Sequence, residues 1–366
     1  MIDNEKLIRI YKEAHNSFYS NKDNSLQKSS HWQIYNQRDI NLQNLLKFRS
    51  KNSLSYGLDD QNISFQFKIY SDFVNELSEN YILNNLPKRN IGESDLLKYK
   101  DVYLDYNKLI HIHWFNTIEA HILKKEKISN ICEIGGGFGS FSELFIRNYN
   151  TKLFSIDLPE ANLMTAYYLK ENFKNKKFFL FDKYKEKNFL SFEDFNSNDI
   201  IILPPNSKID KKIKIDFFIN TRSMMEMNFK VIQDYFNFIH NYSHQRSFFL
   251  NINRYEKSSV GEKIKISDYP YDQNWKVVLS KPSVNQDWIH FLLTKRNYGD
   301  DSDIKNEQKK IELIGKKYHG MYVDKIAFNS KFKKFLKNII KLIFGKRFLN
   351  FLGKIFIRIG NTFKNI

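Results

Sequence analysis

The chain has 366 residues, 42% of them hydrophobic, enough for one large or two modest domains with a substantial core. Its single cysteine, Cys132, excludes a disulfide framework and a cysteine-rich zinc site. The net charge of +17 invites a nucleic-acid partner, but residues 331–366 hold ten Lys or Arg and no Asp or Glu, which leaves +7 over residues 1–330. The excess sits in a tail and not around a site, so no nucleic acid is expected.

The first residues, Met1 to Lys6, carry no secretory apolar segment, and no apolar run reaches the ~18 residues of a membrane span. The expected compartment is the reducing cytoplasm. Residues 1–100 read as a helical cap or substrate region. Leu7, Ile10, Tyr11, Ala14 and Phe18 recur at helical spacing, as do Phe67, Tyr70, Phe73, Val74 and Leu77. A polar loop, Phe48 to Gly57, lies between them. A further helix is expected over about 100–125, with Leu104, Leu109, Trp114, Ile118 and Ile122 facing inward. It carries His111 and His113, but alternate positions on a helix point to different faces. Core or cap roles are favoured for both, and no metal is expected.

From 128 onward strands and helices alternate, the pattern of a parallel sheet with crossover helices, and the catalytic domain is taken as 101–298. Candidate strands are 130–134, 153–156, 178–181, 215–219, 247–252, 275–280 and 288–294. Helices are expected near 140–149, 160–173 and 225–241. The last two strands have no room for a crossover helix and should form an antiparallel hairpin. The first strand leads into Glu133-Ile134-Gly135-Gly136-Gly137-Phe138-Gly139, and the second ends in Asp157. A dinucleotide fingerprint would need a third glycine at Ser140 or Ser142. The pattern present is acid-x-Gly-x-Gly-x-Gly: Glu133, Gly135, Gly137 and Gly139. A carboxylate such as Asp157, at the end of the next strand, can accept ribose hydroxyls.

This pattern resembles the first motif of class I S-adenosylmethionine (SAM) methyltransferases. With Asp157-Leu158-Pro159-Glu160, Asn220-Thr221-Arg222-Ser223-Met224-Met225-Glu226-Met227 and Asp287-Trp288-Ile289-His290, the chain resembles the sugar O-methyltransferases of bacterial surface-polysaccharide gene clusters. The resemblance spans roughly residues 90–296. It implies a Rossmann-like sheet of seven strands with the seventh reversed, SAM as methyl donor, and a sugar or glycan hydroxyl as acceptor, nucleotide-activated or lipid-linked. Expected cofactor residues are Glu133, Gly135, Gly137, Gly139, Asp157, Leu158, Asn220 and Ser223, with Asp182 after the third strand on the adenine side. Candidates for removing the hydroxyl proton are Glu226, His290 and Asp287, because ligands sit beyond the carboxyl ends of parallel strands. Leu203-Pro204-Pro205-Asn206 precedes the 215–219 strand and lacks the flanking residues of an amino-methyltransferase turn, so it reads as a loop.

An acidic stretch, Gly299 to Asp303, opens a linker over 299–330. Beyond it, Phe332, Phe335, Leu336, Ile339, Ile340, Ile343 and Phe344 share a helical face, and Phe348, Leu352, Ile355, Phe356 and Ile359 a second. Cationic amphipathic helices of this kind suit an anionic membrane surface, which would hold the protein peripherally at the inner face of the cytoplasmic membrane. For the tail the alternative is a helical hairpin packed on the protein or on a dimer partner; for the function the alternatives are a SAM-dependent nucleic-acid methyltransferase or a membrane-docked scaffold with a degenerate SAM fold.

Overall fold

The computed structural model describes residues 3–20, 40–50, 63–258, 262–297 and 303–318. The chain forms two compact units, Met1–Glu312 and Leu313–Ile366. Within the second, residues 313–318 are helical. The amphipathic tail, residues 331–366, lies outside the described residues.

The first unit opens with helix α1, Asn4–Ser20, which buries Leu7, Ile10, Ala14 and Phe18 along one face. Helices α2 (Leu42–Leu46), α3 (Ile63–Glu76) and α4 (Glu79–Asn85) follow. A short hairpin, β1 (Leu97–Tyr99) with β2 (Val102–Leu104), occupies residues where the spacing predicts the start of a helix. The helix, α5, begins at Tyr106 and runs to Ile118 because Asp105 caps it, its side chain accepting from the Lys108 N–H. The inward set Leu104, Leu109, Trp114, Ile118 and Ile122 is buried as expected.

The remainder alternates. Strand β3 is Asn130–Ile134, α6 Ser142–Tyr149, β4 Lys152–Ile156, α7 Pro159–Asn172 and β5 Phe178–Phe179. Then come α8 Phe181–Lys187, α9 Phe192–Ser197, β6 Ile200–Leu203, β7 Ile215–Thr221, α10 Phe229–Tyr242 and β8 Ser243–Arg254. A small two-stranded pair, β9 (Glu256–Lys257) and β10 (Ile264–Lys265), precedes β11 (Trp275–Ser283) and β12 (Gln286–Arg296). The main sheet is ordered β11-β12-β8-β7-β3-β4-β6-β5. Strand β12 runs antiparallel to both its neighbours, while the pairs among β8, β7, β3, β4, β6 and β5 are parallel. The expected reversed final strand and terminal hairpin are therefore present.

The sheet has eight strands and not the seven expected. The additional one is Ile200-Ile201-Ile202-Leu203, buried at every position. It pairs with β4 on one side and with the two-residue edge strand β5 on the other. Continuous apolar runs are the mark of strands covered on both faces, and the Leu203-Pro204-Pro205-Asn206 loop is the turn that ends this one. Helix α1 packs against α7 and α8, so the N-terminal region covers the β4–β6 side of the sheet.

Two buried ion pairs join the N-terminal region and α5 to the glycine turn. Arg49 and Asp105, each 3% exposed, meet at 2.6 Å. Lys108 donates to the Ser140 carbonyl at 2.6 Å and pairs with Glu143.

Candidate active site

Parallel strands β3, β4 and β7 place their carboxyl ends side by side, and each ends in a chemistry-bearing turn. After β3, Gly135, Gly137 and Gly139 take φ values of +69°, +66° and +79°. Two of these glycines have separate reasons. A Cβ on Gly135 would lie 1.8 Å from Ser223 Oγ, so only glycine lets the turn after β7 approach the turn after β3. A Cβ on Gly137 would meet nothing within 4 Å, so this part of the turn borders open space.

Asp157 ties the β4 end to that turn. Its Oδ2 accepts from the Gly137 N–H at 2.9 Å and its Oδ1 from the Leu158 N–H at 2.7 Å. Each carboxylate oxygen keeps further acceptor capacity. Burial raises the Asp157 pKa to about 7, against the lowering by these two N–H groups. Leu158 thus contributes its backbone amide, and Thr165 Oγ1 adds a bond to the Gly137 carbonyl at 2.8 Å. Glu133 is fully buried below the turn, where its Oε2 accepts from Ser142 Oγ and its Oε1 has no partner. Burial raises its pKa to about 7. Glu133 therefore braces the turn from beneath, while Asp157 and Gly137 form its open surface.

The other expected residues fall into three groups. Ser223 is at the turn, its side chain seated in the space Gly135 leaves. Asn220 is fully buried and committed to structure. Its Nδ2 donates to the Ile134 carbonyl at 2.8 Å, and its Oδ1 accepts from Met224 N at 3.2 Å and Asn253 Nδ2 at 2.8 Å. That removes Asn220 from the direct cofactor contacts expected of it. Asn253 also donates to Asn251 Oδ1 at 2.6 Å, and Asn251 to the Tyr271 hydroxyl at 3.1 Å. The sequence signal for this clamp is the alternating asparagine pair Asn251-Ile252-Asn253 in β8. Asp182 lies beyond the edge strand β5, separated from β4 by β6, and pairs with Lys6 at 3.2 Å. The missed strand explains the displacement, because β6 occupies the position next to β4.

The acid–base candidates separate in the same way. His290 is fully buried, with Ser280 Oγ 2.8 Å from Nε2 and the Tyr255 hydroxyl 2.9 Å from Nδ1. Burial lowers its pKa to about 3, so it is a neutral strand histidine and not an accessible base. Glu226 lies in the single turn of 3₁₀ helix after β7 and pairs with Lys257 at 2.8 Å. Asp287 is in β12, but its side chain lies outside the described residues. His111 packs at a tilt against Phe141 and Trp114, and His113 bonds Glu76 at 2.9 Å. Among the described residues no three His, Cys, Asp or Glu side chains are grouped as metal ligands.

The residue at this edge that the sequence reading passed over is Arg222. It follows β7 with φ +63°, an uncommon conformation for a non-glycine residue. Its amide donates to the Ile252 carbonyl at 2.6 Å, and its Nη1 reaches Asn107 Oδ1 on α5 at 3.4 Å.

The sequence matches no family model and no curated protein, so the likeness to sugar O-methyltransferases rests on its motifs. Solved structures are similar in part. The mitomycin 7-O-methyltransferase MmcR shares 12% identity over 52% of this chain and 57% of its own, with a TM-score of 0.32. TrmN from Thermus thermophilus shares 6% over 51% and 48%, with a TM-score of 0.32. The chain thus spans about half the length of these two. Magnesium protoporphyrin IX methyltransferase (ChlM) from Synechocystis PCC 6803, solved with bound SAM, shares 9% over 63% and 97%, with a TM-score of 0.36. Alignments this loose assign neither activity nor substrate.

Proposed function

We propose that this chain is a SAM-dependent O-methyltransferase whose acceptor is a sugar or glycan hydroxyl. The observation that carries the SAM reading is the pairing of Gly137, bordered by open space, with the Asp157 carboxylate one strand away. Asp157 would accept the ribose hydroxyls, and the glycine turn would lie against the amino-acid half of the cofactor. When bound, SAM supplies a methyl group already activated by a sulfonium. The chain's own task is then to align donor and acceptor, which can contribute on the order of 7–11 kcal/mol. A base for the hydroxyl proton adds roughly 10²–10⁴-fold. Of the candidates with described side chains, Glu226 is favoured: it is part-exposed at the carboxyl edge, whereas His290 is sealed.

The sugar acceptor and its place in surface-polysaccharide assembly are supported by the motif resemblance. Docking of residues 331–366 on anionic lipid is proposed from their charge and spacing, and lipid-linked glycans are assembled at such a surface. The test is methyl transfer from SAM across a panel of nucleotide-activated and lipid-linked sugars. Turnover on one of them supports the reading. SAM binding with turnover only on nucleic acid would replace it.

A further inference from the structure

We propose that Arg222 and Arg254 together bind an oxyanion, a phosphate or a carboxylate, carried by the methyl acceptor. The proposal rests on the methyltransferase reading for the word acceptor, but the anion site stands on its own geometry. The Arg222 amide bonds the Ile252 carbonyl at 2.6 Å, which sets Arg222 beside β8 two residues before Arg254. Both arginines therefore end neighbouring parallel strands, at the edge where the glycine turn opens. Arg222 adopts left-handed φ, and strain of this kind is held where the surroundings fix it, often at ligand sites. Its side chain crosses to the first turn of α5, where Asn107 offers it a neutral oxygen at 3.4 Å.

Charge at this edge is unbalanced. Arg254 makes no side-chain hydrogen bond or ion pair among the described residues, and its Nε is buried without a partner. The carboxylate of Glu226 is held by Lys257 at 2.8 Å. Asp105 is matched by Arg49, and Glu143 by Lys108 and Arg147. His111 on α5 has its pKa lowered to about 3, by burial first and then by Lys108 and Arg222, and adds no charge at neutral pH. For Arg222, burial comes first among the causes that weaken its hold on its proton, and Arg254 adds to it, while Tyr106 and Glu226 oppose. Two guanidinium groups at one part-buried edge, where Arg222 has a single neutral side-chain acceptor and Arg254 none among the described residues, are completed by an anion. Their planar donors suit a phosphate or carboxylate taken in bidentate fashion. A neutral glycan would leave Arg254 without a counter-charge among the described residues and Arg222 with only the attraction of Glu226, itself held by Lys257.

The test is calorimetric titration of the full chain, with and without saturating S-adenosylhomocysteine. The probes are UDP-glucose (a diphosphate), glucuronate (a carboxylate) and glucose (neither). At low salt one anionic probe is expected to bind, and glucose much more weakly. Arg222→Gln and Arg254→Gln should each weaken that probe at least about tenfold, with Arg254→Lys intermediate and S-adenosylhomocysteine affinity changed less than twofold. Which probe binds tells phosphate from carboxylate. Thermal melting checks each variant, and Arg254→Gln keeps the test open if Arg222→Gln does not fold. The proposal is overturned if neither anion binds better than glucose, or if folded Gln variants bind like the parent. It is also overturned if they lose S-adenosylhomocysteine by the same factor, because the arginines would then hold the cofactor's carboxylate. Anion binding that depends on both arginines in a protein that ignores S-adenosylhomocysteine would retain the anion site and sink the methyltransferase reading instead.

Discussion

Glu133 and Asp157 show how much and how little a motif tells. Both were legible as acids at fixed distance around a glycine turn, yet they do different work: Asp157 is half-buried and bonded to the Gly137 amide that borders open space, and Glu133 is sealed beneath the turn. Burial raises the Glu133 pKa to about 7 from its ordinary 4.5. Between those values the folded protein holds a proton that the unfolded chain has released. Stability from this group is therefore fully present below the lower pH and lost as pH rises through the upper one. Urea unfolding at pH 5 and pH 8 should show the parent losing more stability than Glu133→Gln, by on the order of 3 kcal/mol. Equal losses would mean that Glu133 is ionised throughout. At the acceptor side, Glu226→Gln is expected to lower kcat roughly 10²–10⁴-fold with SAM binding retained, if it is the base. His290→Asn should act through stability instead, because it removes a buried partner of Ser280 and Tyr255. Normal turnover in Glu226→Gln on the native acceptor would exclude it. Arg222 went unread because its meaning lies in a backbone angle and in neighbours from α5 and β8, none of which is local in sequence.

At the scale of elements, the strands with long apolar runs were legible, and so was the hairpin forced by the short gap between β11 and β12. The failures have a common form. Strand β6 is four residues long and is followed by two prolines, so its apolar run was absorbed into a loop, and Asp182 was placed one strand too close to the site. Helix α5 begins late because the cap at Asp105 outweighs the apolar spacing before it. The asparagine clamp is the element-level device that aligns the ends of β3, β7 and β8. Asn253→Ala leaves the buried Met225 N–H without its acceptor and takes a donor from Asn220. It should cost roughly 1–3 kcal/mol in chemical denaturation. A loss near zero would mean that water replaces the clamp and that it does not set the strand ends.

Over the whole molecule, ten of the seventeen net positive charges sit in residues 331–366, a partition visible only in the sequence. No described helix is long and apolar enough to cross a membrane. For the tail we propose adsorption on anionic lipid, from its charge and helical spacing. The full chain is expected to bind anionic vesicles, with affinity falling steeply as salt rises, and a chain ending at Asn329 should lose this binding while still taking up SAM. If the shortened chain unfolds, or if the full chain ignores anionic vesicles, residues 331–366 are a packing element.

The central claim is that the glycine turn and Asp157 form a SAM site, and calorimetric titration of SAM into the purified protein and into Asp157→Ala tests it most directly. The account predicts one site per chain in the parent and a weakening of ~1.5–3 kcal/mol in the variant, the range for a lost charge-assisted hydrogen bond. No heat of binding in the folded parent, or equal affinity in the two proteins, would contradict it.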